Sequence, residues 1–382
     1  MRTTSGRRVA AAAFVLAFVL AGCGTADEEP TPSTTGGGGP RTVKLQLQWF
    51  VQAQFAGYIA AVEKGFYREQ TLNVQILEGG VDIVPQTVLA QGQADFAVSW
   101  VPKALASREQ GAQITEIAQV FQRSGTYQVA FADSGIKSPA DLRGKKVGNW
   151  GFGNEFELFA AMTKAGLDPG KDVTLVQQQF DMQALLRRDI HAAQAMSYNE
   201  YAQLLEAKDP KTGQLYKPEA FTVLDWNIIG TAMLQDAIWA NSEKLAGDPA
   251  YQDTAVRFLT GSLKGWIFCR DNPEECRNMV VAKGSKLGAS HQLWQANETN
   301  KLIWPSPNGI GVLDEAAWQR TVDLSMNTKN QDGQTVLTKR PEGLAYTNEF
   351  VARALARLKD EGADVNGTNF RPITVTLNAG GA

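Results

Sequence analysis

Apolar and polar residues follow a repeating order along the chain, in which a short strand pattern is followed by a helical one. Residues 43–48 alternate between apolar and polar, which predicts a β-strand, and an apolar pattern at helical spacing then reaches residue 64. This order recurs, and strands are predicted at 73–77, 95–99, 114–121, 127–132, 145–148, 172–176, 190–196, 221–224 and 235–240. Strands that alternate with helices are typical of βαβ units, so the sequence predicts an α/β fold with mainly parallel sheets.

The strand patterns fall into two series, which predicts two lobes. We expect residues 41–129 to form the first part of lobe 1 and residues 130–228 to form lobe 2. Residues 229–382 would return to lobe 1 and add C-terminal helices, because the pattern after residue 251 is mostly helical. The chain would thus cross between the lobes twice, through a hinge of two strands with a cleft beside it.

One turn combines glycines with aromatic and amide side chains. It follows the strand predicted at 145–148 and contains Asn149, Trp150, Gly151, Phe152, Gly153 and Asn154. Ligands of open α/β sheets bind beyond the carboxyl ends of strands, and glycine allows a close approach of the backbone. A plain turn with one tryptophan in the core is the alternative. Glu155 and Glu157 place negative charge in the first turn of the next helix, which disfavours sulfonate, nitrate or phosphate there.

The composition excludes some classes of function. The 382 residues are 43% hydrophobic and 20% charged, as is ordinary for a globular protein. A formal net charge of −3 gives no basic surface for nucleic acid. His191 and His291 are far apart in the sequence, and no Cys/His cluster is present, so neither a metal site nor a cofactor is expected.

The N-terminus has the features of an export signal. Basic residues precede an apolar run at 9–20, which is short for a membrane span and ends in Leu20-Ala21-Gly22-Cys23. That end resembles the bacterial lipobox, so residues 1–22 are predicted to be a lipoprotein signal peptide and Cys23 the lipidated residue. Residues 23–40 are predicted to be a flexible tether. The protein would then be extracytoplasmic and anchored by lipid to the bacterial cell membrane; a signal peptide with a chance cysteine is the alternative.

The two remaining cysteines form an even pair. Cys269 and Cys276 flank a predicted break between helices at 271–273, and exported proteins fold in an oxidising compartment. A disulfide is therefore predicted, although spacing alone leaves two free buried thiols as an alternative.

Several stretches resemble one family of proteins. The chain carries KGFY at 64–67, QGQADF at 91–96 and SPADLRGKKVG at 138–148. These stretches resemble substrate-binding proteins of ABC importers, in the family of receptors for thiamine-pyrimidine precursors, riboflavin, sulfonates, taurine and nitrate. The stretches at 153–155 and 196–201 are most similar to the pyrimidine and riboflavin receptors. The resemblance implies a type II periplasmic-binding-protein fold that closes on its ligand by hinge motion.

The same family includes fungal thiamine-pyrimidine synthases, and the sequence departs from them. The resemblance implies that those enzymes use a donor histidine and a cysteine-rich motif. Neither His191 nor His291 lies in an aromatic or cysteine-rich turn, and the mature chain has no cysteine cluster. Catalysis is therefore not expected.

The candidate ligand-binding residues are aromatic and polar side chains near predicted strand ends. Stacked indoles suit a flat ring, and Glu200 would accept hydrogen bonds from an aminopyrimidine. The alternatives are tryptophans in the core, a solvated Glu200 and amides that stabilise turns. The candidates are Gln48, Trp49, Gln54, Tyr58, Trp100, Asn149, Trp150, Gly151, Asn154, Tyr198, Asn199 and Glu200, with Asp225 and Trp226 near the hinge.

The predicted function is that of an ABC-importer receptor for a flat nitrogen heterocycle, either a thiamine-pyrimidine precursor or a riboflavin-like compound. Its partners would be the ligand and the permease and ATPase subunits, with no nucleic acid, and the receptor would be a monomer. A receptor for a small anion (an aliphatic sulfonate, taurine or nitrate) is the alternative. An exported pyrimidine-forming enzyme and a surface adhesion module are the other classes considered.

Overall fold

Two five-stranded sheets organise the chain, one in each lobe. The computed structural model describes residues 39–151 and 153–382. The predicted signal peptide, Cys23 and most of the tether lie outside the described residues, as does Phe152. Within the described ranges, no helix is both long and apolar enough to cross a membrane.

The strands closely follow the predicted positions. Nine of the ten strands have buried residues on one or both faces, as expected for strands covered by helices, whereas the edge strand Thr174–Gln177 has none. The strands are β1 Arg41–Gln46, β2 Leu72–Leu77, β3 Phe96–Trp100, β4 Ile114–Gln119, β5 Thr126–Phe131, β6 Lys146–Asn149, β7 Thr174–Gln177, β8 Ala192–Met196, β9 Phe221–Asp225 and β10 Asp236–Asn241.

The helices connect the strands and form most of the C-terminal region. The shortest are single turns, and short 3-10 helices occur at Ala53–Phe55, Ala132–Ser134, Pro139–Leu142, Pro218–Ala220 and Ala379–Gly381. The α-helices are α1 Ala56–Glu63, α2 Phe66–Glu69, α3 Pro85–Ala90, α4 Val101–Glu109, α5 Phe156–Lys164, α6 Gln183–Leu186, α7 Glu200–Glu206, α8 Trp226–Ile229, α9 Ser242–Gly247, α10 Pro249–Asp271, α11 Pro273–Ala282, α12 Ala289–Ile303, α13 Glu315–Asn327 and α14 Glu349–Asp360.

Both sheets have the same topology. The strand order is β2-β1-β3-β10-β4 in the first lobe and β7-β6-β8-β5-β9 in the second. Strands β1, β2 and β3 are parallel, as are β6, β7 and β8, which confirms the βαβ units. The exceptions to the predicted parallel order are β10 and β5, which are antiparallel to both neighbours. Each of these two is the first strand that the chain forms after crossing from the other lobe.

Two short segments join the lobes. The first, residues 120–125, connects β4 to β5, and the second, residues 226–235, connects β9 to β10. Strand β5 pairs along its length with β8 and β9, so the first crossover precedes Thr126 instead of falling at the predicted boundary of 129 and 130. Burial of Val129 and Phe131 in the core of the second lobe accounts for this position.

The C-terminal helices pack mainly on the first lobe. Helix α10 lies close against α1, where a Cβ atom added to Gly265 would come within 2.0 Å of the Gly57 carbonyl oxygen. Trp294 of α12 and Leu377 of the extended tail, however, join the apolar cluster of the second lobe. The C-terminal region is therefore not confined to the lobe to which the sequence assigned it. Cys269 and Cys276 are bonded, with their Cα atoms 5.5 Å apart, and tie the end of α10 to α11.

Candidate ligand-binding site

A cavity of about 590 Å³ opens between the lobes, and residues of both lobes line it. Ligand sites of proteins are usually clefts of about 300–1,000 Å³ with mostly apolar walls and a few polar groups. On the first lobe, the walls come from the segments after β1, β3 and β2 and from α4. On the second lobe, they come from the ends of β6 and β8 and the segment after β7.

Aromatic rings from both lobes form one side of the cavity. Phe180, in the loop after β7, lies 4.7 Å from the ring of Trp49 across the cleft, with an interplanar angle of 51°. It is also 6.1 Å from the ring of Trp150 and nearly parallel to it, at 17°. Aromatic pairs at such distances contribute about 0.5–1.5 kcal/mol beyond area burial. The three rings provide faces on which a flat ligand would stack.

Asp236 fixes polar groups of the first lobe beneath the rings. Its buried carboxylate accepts hydrogen bonds from Gln54 Nε2 at 2.9 Å and from Trp100 Nε1 at 2.8 Å, and also from Gln48 Nε2. Burial raises the pKa of Asp236 to about 6, and the three donors partly offset the cost of its charge. The carboxylate thus holds two amides and one indole in fixed orientations at the cavity.

Glu200 brings a second buried carboxylate to the cavity, from the opposite lobe. It is the first residue of α7 and is 3% exposed. Its Oε2 accepts from Met196 N at 2.9 Å, and its Oε1 accepts from Asn199 Nδ2 at 2.7 Å. Burial raises the pKa of Glu200 to about 7. Each carboxylate oxygen has two lone pairs, so both retain capacity for a ligand donor.

The Glu200 carboxylate is connected to a buried histidine of the C-terminal region. Asn199 also contacts His291 Nε2 through its Oδ1, at 2.9 Å. His291 Nδ1 lies 2.8 Å from Glu206 Oε1, at the far end of α7. This chain of hydrogen bonds fixes Asn199, and so restricts the orientation of the Glu200 carboxylate.

Lys103 joins the lobes across the cavity. Its Nζ donates to Asn154 Oδ1 at 2.7 Å and lies 4.9 Å from the centre of the Trp100 ring. Asn154 is itself held by its Nδ2, which donates to the Gly151 carbonyl oxygen at 2.7 Å. Burial lowers the pKa of Lys103 to about 8, although the charges of Glu155 and Asp236 oppose that effect. Lys103 therefore brings to the cavity an ammonium group whose pKa lies close to neutral pH.

The structure brings nine of the predicted site residues together. They come from four separate segments of the chain, and all of them line the same cavity. They are Gln48, Trp49, Gln54, Trp100, Trp150, Asn154, Tyr198, Asn199 and Glu200.

The structure places the other predicted residues away from the cavity wall. Tyr58 is buried on α1 with its ring 5.6 Å from that of Trp266, and Trp226 is buried in the core of the second lobe. Asp225 caps α8 by accepting from Asn227 N at 2.8 Å. Asn149 ends β6, where its carbonyl oxygen accepts from Gln178 N, and Gly151 is in the left-handed region at φ 70°, as the turn requires.

The predicted negative charge at the start of α5 does not reach the cavity. Glu157 is buried and accepts from Met233 N at 2.6 Å and from Ser124 Oγ at 3.0 Å, both on the crossovers. Glu155 is also buried, and burial raises its pKa. Neither lines the cavity, so the expected repulsion of anions there does not decide the ligand class.

Three residues important to the site were missed from the sequence. Phe180 follows β7, so the same rule of strand ends could have found it. Lys103 lies in the first turn of α4, directly after Trp100. Asp236 is the only charged residue of β10, an otherwise uncharged strand, and this was the available signal. Among the described residues, no three His, Cys, Asp or Glu side chains are arranged to hold a metal.

Comparison with known proteins tests the resemblance found in the sequence. The NMT1/THI5-like family matches residues 52–276. A Haemophilus influenzae protein named for thiamine biosynthesis is 30% identical over 76% of this chain and 82% of its own. The formylaminopyrimidine-binding protein of Halalkalibacterium halodurans is 22% identical over 74% of this chain and 83% of its own. The riboflavin-binding protein RibY of Chloroflexus aurantiacus is 26% identical over 86% and 94%.

Two further relatives match shorter parts of the chain, and a solved structure matches its fold. Two matches over less than half of this chain are named 4-amino-5-hydroxymethyl-2-methylpyrimidine phosphate synthase, from Legionella pneumophila and Aspergillus parasiticus. The periplasmic aliphatic sulphonate binding protein of Escherichia coli superposes with a TM-score of 0.55 at 15% identity, covering 88% of this chain and 93% of that protein, which shows the fold alone. The resemblance found in the sequence and the periplasmic-binding-protein fold are thus both confirmed, and the chain belongs to the NMT1/THI5-like family.

Proposed function

We propose that the protein is an extracytoplasmic receptor of an ABC importer, which binds a flat nitrogen heterocycle between its lobes and delivers it to a permease. The proposal rests on the buried Glu200 carboxylate, which faces a cavity with stacked aromatic walls. An aminopyrimidine protonated on the ring nitrogen beside its amine presents two adjacent N–H donors in the plane of its ring. These donors match a carboxylate, while the ring faces match indole and phenyl groups.

The names of the relatives support this class of ligand. One relative is a formylaminopyrimidine-binding protein and another is a riboflavin-binding protein. Both names describe flat nitrogen heterocycles.

We further propose binding without catalysis, although two relatives are named as synthases. His191 accepts from Lys146 N at its Nδ1, at the start of β6, and does not line the cavity. His291 is held between Asn199 and Glu206 and does not line it either. The polar side chains that line the cavity carry amides, hydroxyls, one carboxylate and one lysine, which suit recognition of a ligand.

Lipid anchoring through Cys23 is the proposed means of retention at the membrane. The full chain, expressed in a bacterium, should partition into the detergent phase after Triton X-114 extraction. A Cys23→Ala variant should partition into the aqueous phase. Aqueous partitioning of both proteins would rule out the anchor without affecting the proposed ligand.

Titration calorimetry on the mature protein tests the ligand class. The panel should contain 4-amino-5-hydroxymethyl-2-methylpyrimidine, a formylated aminopyrimidine and riboflavin, together with taurine, an alkanesulfonate and nitrate. Glu200→Gln keeps the size of the side chain but replaces a carboxylate oxygen with an amide. Loss of a charge-assisted hydrogen bond costs about 1.5–3 kcal/mol, so we expect heterocycle binding to weaken by about 10- to 100-fold.

Glu298→Gln is the matched control. Glu298 is also a buried carboxylate whose pKa burial raises, but it lies on α12 and outside the cavity wall. Its variant should bind as the wild type does. Binding of the anions alone would overturn the proposal, and so would heterocycle binding that Glu200→Gln leaves unchanged.

A further inference from the structure

The cavity is larger than a single pyrimidine ring requires. Its volume of about 590 Å³ lies within the range of about 300–1,000 Å³ that is usual for sites of drug-sized ligands. A substituted pyrimidine of about ten non-hydrogen atoms would fill less than half of that space. A ligand of that size held at Glu200 would leave the remaining wall in contact with solvent.

The two lobes bring different chemistry to the cavity. The carboxylate of Glu200 and the amide of Asn199, both buried, come from the second lobe. From the first lobe, the loop before α3 presents three aliphatic side chains to the cavity. Val81, Ile83 and Val84 are 55%, 38% and 47% exposed, respectively.

The exposed aliphatic side chains are grouped and face one space. A single exposed apolar residue needs no explanation, because much of any protein surface is apolar. Three within four residues that line the same cavity are different, since grouped apolar side chains beside a pocket mark binding surfaces. Val336, from the segment after α13, lines the same cavity. The loop thus forms an apolar wall, defined here as Val81, Ile83 and Val84.

We infer that the ligand has two parts: a planar hydrogen-bonding head at Glu200 and an apolar arm, such as a fused or attached hydrocarbon ring, along the apolar wall. For the head, but not for the arm, this inference rests on the proposed function. A ligand of this shape would cover the wall that a single-ring ligand leaves in water. The apolar wall would then select among heterocycles that share the same head.

Paired ligands test the arm separately from the head. Calorimetry would compare 2,4-diaminopyrimidine with 5-benzyl-2,4-diaminopyrimidine on the mature protein. Each buried methylene-sized group strengthens binding about fourfold, so the benzyl compound should bind at least about tenfold more tightly. A Val81→Ser, Val84→Ser double variant should reduce that advantage to about threefold or less and leave the affinity for 2,4-diaminopyrimidine unchanged.

A control variant and the possible outcomes distinguish the two-part ligand from the proposed receptor function. Ile228→Ser removes an aliphatic side chain that is 86% exposed on α8 and outside the cavity, and it should change neither affinity. Equal affinities for the two compounds, or an advantage that survives the double variant, would overturn the two-part ligand and leave the receptor function intact. Failure of both compounds and of every heterocycle in the earlier panel would overturn the proposed function, and the arm with it.

Discussion

Glu157 ties the two crossovers to α5, and its ionisation should set part of the pH dependence of folding. Its carboxylate accepts from Ser124 Oγ on the first crossover and from Met233 N on the second. Burial raises its pKa from 4.5 to about 7, and the hydrogen bonds only partly oppose that rise. Because the pKa is higher in the folded protein, the folded state binds the proton more tightly. The resulting stabilisation is complete below pH 4.5 and is lost as the pH rises through 7.

The size of this effect follows from the two pKa values. At about 1.4 kcal/mol for each pKa unit, Glu157 should contribute about 2 to 3 kcal/mol more to the free energy of unfolding at about pH 5 than at about pH 8. Glu157→Gln removes this contribution with little change in shape. The amide oxygen can still accept from Met233 N, and the Ser124 hydroxyl can reverse its role and accept from the amide nitrogen. The variant should therefore fold normally and lose the part of the pH dependence that Glu157 supplies.

Urea unfolding of the mature protein at several pH values between about 5 and 8 measures this difference. Glu200 and Asp236 also have raised pKa values, but both remain in the variant, so the difference between the two curves isolates Glu157. Glu349→Gln, an exposed substitution on α14, is the control and should follow the wild type. Parallel curves for wild type and Glu157→Gln, within about 0.5 kcal/mol, would refute the reasoning.

Three other substitutions probe particular contacts. Tyr58→Phe should leave ligand binding unchanged and should keep the free energy of unfolding or raise it by up to about 1 kcal/mol. The reason is that the buried Tyr58 hydroxyl has no hydrogen-bond partner among the described residues. A lower free energy of unfolding in urea would contradict this. Lys103→Met should increase the radius of gyration in small-angle scattering, since the bond from Lys103 to Asn154 joins the lobes; an unchanged radius would show that this bond does not hold them together. Gly57→Ala should lower the free energy of unfolding in urea by about 3 kcal/mol or more, because the added Cβ would lie 2.2 Å from the Trp266 ring. An equally stable variant would mean that α1 and α10 can move apart at small cost.

The rule of strand ends located nine residues of the cavity wall from the sequence alone. Trp100 ends a strand, and Trp49 and Trp150 each follow one, at the edge that faces the other lobe. Local periodicity is enough to place such residues, since parallel strands of one sheet end on the same side. Phe180 obeys the same rule, since it follows β7, but it was not among the candidates.

The rule failed where a residue belongs to a helix that is buried on several faces. Tyr58 follows β1 closely, but residues all around α1 are buried, so the pattern could not show which side faces the cavity. Trp226 directly follows β9, yet it begins α8 and packs into the core of its own lobe. In both cases tertiary packing decides the direction of the side chain, and neighbours far along the sequence supply that packing.

Asp236 shows a further limit of sequence reasoning and also connects the cavity with the hinge. Its partners Gln48, Gln54 and Trp100 are more than 100 residues away, so no local pattern indicates their meeting. The preceding residue, Gln235, accepts from Gly125 N on the first crossover at 2.8 Å. Adjacent residues of an extended chain direct their side chains to opposite sides. Asp236, which orders the cavity, therefore directly follows Gln235, which joins the crossovers. We expect a change in the hinge angle to alter the position of Asp236 and of the amides that it holds.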